Sequence, residues 1–453
     1  MRDFITEALK GHDADYIDIR IEERQGTRMS FRGRDLEEIG ENADLGGGVR
    51  ALRKGGWGFV CFNDLNRLRD KVAEAVAHAG VVGHERSQLA EVAPVVDVVP
   101  LEAREDPRAV SLADKKQLMD QYNDLLWGAG PNVQTTRVSY ADGYSKKYFA
   151  NSQGSYIQLE KLDIVASFAA MARQGDDVQQ GFHSTGSLGD FGPIRQLHRE
   201  VREAAERAVR LLSAAPVKGG EYTVVLDPRL AGIFAHEAFG HLSEADFIYE
   251  NPRLQEVLVL GRRFGEPLLN IGDGAAVPGL RGSFKYDDEG TPAQITPLIK
   301  EGVLVGRLHS RETAGQMNER PTGNARAISF RYRPIVRMTN TFIEPGNVPF
   351  EEMIGDIKEG VYAKGSFGGQ TAMEMFSFSA AEAFMIRNGA IAEPVRGVLL
   401  SGNVFVTLGL IDAIGNDVAW GQGGGCGKGG QMPLPVSEGS PHVRIRKCVV
   451  GGR

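Results

Sequence analysis

Cysteine is scarce: three in 453 residues, Cys61, Cys426 and Cys448. That excludes a disulfide framework and fits a reducing compartment, where a thiol is free to bind metal. Excess positive charge is also lacking. The formal net charge is −7, so nothing suggests a basic nucleic-acid surface. No run approaches the ~20 apolar residues of a spanning helix, and the first residues, MRDFITEALKGHDAD, lack the apolar core of a signal peptide. These absences predict a cytoplasmic protein that binds neither membrane nor nucleic acid. No repeat with a fixed period is visible.

Glycine, in contrast, is abundant: 57 residues with no G-X-Y period. This excludes collagen and points to many tight turns in a β-rich portion. The length suggests at least two domains. The stretch Ala215-Pro216-Val217-Lys218-Gly219-Gly220 is the best boundary, giving an N-terminal α/β domain at 1–215 and a C-terminal β-rich domain at 216–453. The expected class is α+β, with a mixed sheet and packed helices first and the β-rich part second. Tyr16–Glu23 alternates as a half-buried strand does. Residues 45–62 read as two strands about a turn, and Leu65 to Ala79 as a helix. Residues 84–108 look like an extended connector. Ser111 can cap a helix to about Trp127. Four strands are expected within 133–172, a loop or irregular edge at 174–193, and an amphipathic helix at Arg195–Ala214. After Gly220, YTVVL is a short buried strand. Asp227-Pro228 then opens a helix. Short strands between turns follow, including AISFRY, GVLLSGNVFVTL and HVRIRKCVV.

The sharpest feature is His236-Glu237-Ala238-Phe239-Gly240-His241 on that helix. Two imidazoles beside a carboxylate are what hydrolytic zinc chemistry needs: the histidines hold the metal and the acid takes a proton from water. A lone histidine on an apolar helix is more often a satisfied core residue, but two with a glutamate in six residues change the balance. The spacing is unusual. Histidines four apart lie about 40° round a helix, whereas five apart they lie about 140° round it. Both reach one ion only if the helix bulges or breaks, and Gly240 is the expected place.

A third ligand is required. Cys426 lies in GQGGGCGKGGQ. The flanking glycines permit close backbone approach, and Lys428 would favour the thiolate. The competing readings are a flexible surface loop or a phosphate-cradling loop, although no Ser or Thr follows Lys428 as the phosphate motif requires. Cys61 and Cys448 sit in apolar strands and read as packing residues. His309 is a lesser candidate, as a substrate contact. The remaining six histidines, among them His84 and His442, receive no role. Glu244 and Asp246 either orient a ligand histidine or, the commoner use, cap and solvate the segment after the helix. Peptides are expected to bind extended along a sheet edge, with the glycines of 421–425 and 427–430 lining the groove.

HEAFGHLSEAD at 236–246 and CGKGGQMPLPVSEGSPHVRI at 426–445, together with GWGFVCFNDL at 56–65, FANSQG at 149–154, YDDEGTPAQITPLIKEGVLVG at 286–306, PTGNARA at 321–327 and PIVRMTNTFIEPG at 334–346, resemble the TldD/PmbA family. The closer resemblance is to its TldD-like branch, which carries an HExxxH signature. The resemblance spans the chain. It implies a cytoplasmic bacterial or archaeal metallopeptidase acting on short or unfolded peptides, with zinc on His236, His241 and Cys426 and with Glu237 as the catalytic acid/base. It also implies a dimer, in some members formed with a PmbA/TldE-like subunit that lacks the metal motif. Two other readings compete: a non-catalytic peptide-binding modulator or scaffold, which would have no need of Glu237, and a zinc amidohydrolase with a compact small-molecule pocket.

Overall fold

The computed structural model describes residues 1–82, 87–372 and 374–451. The fold is α+β, a mixed sheet with packed helices followed by a β-rich part that carries the motif helix.

The first sheet is built from β1 (Tyr16–Arg32), β2 (Asp35–Arg53), β3 (Gly56–Phe62), β4 (Val96–Val99), β5 (Val133–Asn151), β6 (Tyr156–Gln174) and β7 (Asp177–Leu188). Its order is β3-β2-β1-β5-β6, with β7 and the parallel β4 both pairing with β6. Helices α1 (Arg2–Ala8), α2 (Leu68–Val82), α3 (Leu112–Trp127) and α4 (His198–Leu211) accompany it. On α2, Leu68, Val72, Ala75, Val76 and Ala79 recur at helical spacing and pack on Ile19, Val49 and Val60. Ser111 caps α3 by accepting the amide of Asp114. A second cluster joins α3 and α4 to β5 and β6 through Tyr122, Phe168 and Val201.

Several expectations needed correction. The four strands expected at 133–172 are two, β5 and β6, each 19 residues long. Each continues through polar residues because its backbone is paired on both sides. Of the two readings of 174–193, loop or irregular edge, the structure gives the edge: most of it is β7, whose polar residues suit that place. The connector at 84–108 contains β4; its residues 84–86, His84 among them, lie outside the described residues. Cys61 is exposed, since its neighbours Val60 and Phe62 take the inward phase of β3. Cys448 is buried as expected. Residues 327–332 form no strand, and Val404–Leu408 is a helical turn capped by Asn403.

In the C-terminal part, strands Glu359–Ala372, Gly220–Leu226, Val443–Gly451, Leu399–Asn403 and Met375–Arg387 pair in that order. A pairing of the last with the first closes the circuit. A six-stranded sheet includes Ile271–Gly274, Asn340–Ile343 and Ser437–Ser440. Helix α5 (Pro228–Ala235) packs between these two systems. Asp227 caps it by accepting the amide of Leu230 at 2.8 Å, and Pro228 presets its first turn. Phe234 stands edge-on to Phe376 and Phe378. The motif therefore issues from a rigid, buried helix.

Candidate metal centre

The chain leaves α5 through a π-helical turn, His236–Gly240, followed by a 3-10 turn, His241–Ser243. The amide of His241 donates to the carbonyl of His236, five residues back. This is the distortion the five-residue spacing demanded. Gly240 has a steric reason as well: a Cβ there would lie 2.1 Å from Met338 Sδ. The extra residue turns His241 back over His236, and their ring centroids lie 5.3 Å apart.

Cys426 arrives on a hairpin. Gly425–Lys428 pairs with Gln431–Pro435, and Gly429 and Gly430 between them both have positive φ, 57° and 75°. Two such residues make the turn whose twist matches a hairpin, which explains the glycine pair. The fully buried Arg337 holds the hairpin from below, donating to Cys426 O at 2.7 Å and Gln431 O at 3.2 Å. Ligand atoms of His236, His241 and Cys426 all lie within 4.8 Å of one another. Among the described residues this is the one such group of three or more His, Cys, Asp or Glu donors. Cys426 Sγ is 3.5 Å from His241 Nε2, and Glu237 Oε2 lies 3.9 Å from that same nitrogen.

The electrostatics match this geometry. Burial works to raise the Cys426 thiol, but hydrogen bonds and charge from His236 and His241 outweigh it and bring the thiol down to about 4. Against the same cost of burial, the thiolate lifts His236 to about 9, and the thiolate and Glu244 lift His241 to about 10. The thiolate is thus set by the histidines. Lys428, expected to do so, instead donates to Asp246 Oδ1 at 2.6 Å and Val336 O at 2.8 Å, and its Nζ lies 3.1 Å from Glu244 Oε2. Buried His236 keeps Nδ1 without a hydrogen-bond partner. An orphaned imidazole nitrogen beside an ionised thiol and a second imidazole is a donor set that fits a zinc-type ion.

Two supporting acids were misjudged or missed. Glu244 does not face solvent as the commoner use would have it: its side chain is fully buried, and Oε2 accepts from His241 Nδ1 at 3.0 Å. Burial would raise its carboxyl, but Lys428 and His241 hold it down at about 2. A carboxylate on Nδ1 fixes the tautomer that leaves Nε2 free to coordinate. The signal was in the sequence, an acid three residues after the second histidine. Glu438 was missed. Burial raises its carboxyl, while His236, Arg229 and Arg281 pull it down; no local pattern marks it. His309 is not a substrate contact: it is buried between Thr313 Oγ1 and Glu319 Oε2, both at 3.1 Å.

Beside the hairpin opens a cavity of ≈1130 Å³ between the first sheet and the C-terminal part. Gly423, Gly424, Gly425 and Gly430 line it, as do Arg281, Arg326 and residues of β1, β5 and β6. It exceeds the roughly 300–1,000 Å³ of a drug-sized pocket.

Comparison with known proteins gives a consistent result. Family models of PmbA/TldA metallopeptidases match the chain in three parts: domain 1 at 17–79, the central domain at 105–212 and the C-terminal domain at 219–452. A metalloprotease of Synechocystis is 51% identical over 97% of this chain and 95% of its own length. A zinc metalloprotease TldD homolog of Saccharolobus solfataricus is 30% identical over 97% of each. In fold, TldE from Thermococcus kodakarensis superposes with a TM-score of 0.77 at 17% identity, covering 100% of each chain.

Proposed function

Since the chain belongs to the PmbA/TldD metallopeptidase family, we propose that it is a zinc-dependent peptidase of short or unfolded peptides, with its metal on His236, His241 and Cys426. The observation that carries this reading is the convergence of those three donors within 4.8 Å, with Glu237 alongside. Three protein ligands leave a fourth position open, the catalytic rather than the structural pattern. When bound, zinc supplies Lewis acidity to the scissile carbonyl and to water. Glu237 is part-exposed and is no member of the donor group, so its carboxylate is free to take the proton of the attacking water. It then returns that proton to the leaving amine. Glu244, through Nδ1, keeps His241 in the coordinating tautomer.

In this reading residues 216–453 carry the chemistry, and residues 1–215 form the opposite wall of the cavity in which an extended peptide lies. The protein works in the cytoplasm as a dimer. TldE is the name of its structural neighbour from Thermococcus kodakarensis, and a PmbA/TldE-like subunit is the proposed partner.

Glu237→Gln tests the assignment. It keeps size and shape but accepts no proton. The variant should fold, hold zinc and bind peptide, with hydrolysis reduced by about 10²–10⁴-fold. Zinc content, peptide affinity and turnover are to be measured on one preparation. Undiminished turnover would remove Glu237 from the chemistry. No turnover by the parent protein, with zinc and a TldE-like subunit supplied, would favour a peptide-binding modulator.

A further inference from the structure

The cavity is cationic inside an acidic protein. Eight Arg or Lys side chains line it against six Asp or Glu, whereas the whole chain carries −7. Three of the eight cations have carboxylate partners. Arg281 makes a two-point contact with Asp163, both bonds at 2.7 Å. Lys147 reaches Asp288 at 3.0 Å, and Arg331 pairs with Asp44.

The other five cations, Arg20, Arg24, Arg28, Lys161 and Arg326, have no carboxylate partner among the described residues, and of these Lys161 and Arg326 are the two tied to the Cys426 hairpin. Lys161 Nζ donates only to carbonyl oxygens, Arg281 O at 3.0 Å and Ser283 O at 3.3 Å. An ammonium has three donors, so one remains. Arg326 is 5% exposed. It donates to Met338 O at 2.6 Å and Pro435 O at 2.7 Å, and its guanidinium lies over the Phe284 ring. Of its five N–H groups, further ones are available. Among the described residues, neither cation has a carboxylate at ion-pairing distance. Buried charge without a counter-charge is costly, and a site that is completed by an anionic ligand recovers that cost.

Their positions tie them to the hairpin. Arg326 holds Pro435, the residue paired with Gly425. Lys161 holds the carbonyl of Arg281, whose guanidinium donates to Gln422 O and Gly424 O at 2.9 Å each. Arg326 therefore braces one strand of the hairpin, and Lys161, through Arg281, the segment that leads into the other.

We propose that Lys161 and Arg326 form a carboxylate-binding subsite of this cavity, anchoring a peptide substrate by its C-terminal carboxylate or by an Asp or Glu side chain. This rests on the peptidase reading above and adds a substrate class to it: short peptides with a carboxylate near the bond to be cut. A supporting feature is that burial holds the Lys161 ammonium down at about 7, with Asp163 favouring its charge and Arg326, Lys147 and Arg281 opposing it. The ammonium is charged below that pH and lost above it, while a peptide carboxylate stays ionised throughout. Anchoring is accordingly strongest on the acid side of neutrality.

The test uses the full-length, zinc-loaded Glu237→Gln protein, so that peptide is not consumed. Three N-acetylated alanine–valine pentapeptides serve as probes: the free acid, the C-terminal amide, and the amide with one glutamate. Affinities are measured by calorimetry at pH 6 and pH 8.5. The free acid should bind about tenfold tighter than the plain amide at pH 6, the weight of one charge-assisted hydrogen bond, and the advantage should shrink at pH 8.5. Lys161→Met should abolish both the advantage and its pH dependence. A glutamate amide that matches the free acid would support the subsite and show that it takes either carboxylate; one that matches the plain amide would confine it to the C-terminal carboxylate. Equal binding of all three peptides at pH 6 by the parent protein would overturn the proposal, without relying on any Lys161 variant folding. Carboxylate discrimination without turnover in the Glu237 protein would sink the peptidase reading and leave the subsite standing; turnover without discrimination would do the reverse.

Discussion

Two of the buried polar clusters in this molecule differ in kind, and one of the two has the look of a ligand site. Where β1 and β2 meet the C-terminal part, Arg50 is gripped by Asp18 and bonded to Glu289 Oε1 at 2.9 Å. Glu289 Oε2 accepts the amide of Arg311 at 2.8 Å. Trp57 covers the guanidinium. Both carboxylates share the one guanidinium, and each charge has a protein partner. At the centre formed by His236, His241 and Cys426, the thiolate and imidazoles face one another, His236 Nδ1 has no partner, and the acid in closest support, Glu244, is turned to the far side of His241. The comparison teaches that burial of charge alone does not mark function. A satisfied network stabilises the joint between the two halves, whereas a converging and incompletely satisfied donor set is ready for something the chain does not supply.

Substitutions can break the comparison. The largest effect expected is on metal content. Cys426→Ser replaces a thiolate by a neutral hydroxyl and should lose most of the zinc, read by atomic absorption after dialysis. Full occupancy would remove Cys426 from the site. Next comes Arg50→Met, which leaves Asp18 and Glu289 as uncompensated buried charges and should cost about 3–5 kcal/mol. Urea unfolding measures this, and zinc content should stay at the parental level; zinc loss at unchanged stability would reverse the roles assigned to the two clusters. The smallest effect sharpens the boundary between them. Glu244→Gln keeps the shape beside His241 but weakens its hold on Nδ1, and zinc affinity in chelator competition should fall about 10–100-fold. Unchanged affinity would move Glu244 from metal support to plain structure.

Much of the site was legible along the chain because its parts are local. Two histidines and a glutamate in six residues announce metal chemistry, and the angular mismatch of a five-residue spacing forecasts the π-turn that Gly240 permits beside Met338. The glycines flanking Cys426 read along the chain as permitting close backbone approach, and the hairpin they form shows only in the structure. Other expectations failed where the deciding partner is distant. Cys61 was read as buried from its apolar neighbours, but the phase of β3 against α2 places Val60 and Phe62 inward and Cys61 outward. Residues 174–193 read as either loop or irregular edge because edge strands can be polar, and only their pairing with β6 decides for the edge strand β7.

The sequence by itself determined the chemistry of the donors, the α+β class and the break in the motif helix, since each depends on residues within a turn or a strand of one another. Cys426 was nameable along the chain, but tertiary structure alone brought it, 185 residues away from His241, against the pair, and decided between the two readings of Glu244 in favour of its bond to Nδ1. It also decided that Lys161 of β6 and Arg326 of the C-terminal part line one cavity. Those outcomes depend on which surfaces pack together, and packing is set by the sum of many apolar contacts across the chain, which no single stretch of sequence encodes.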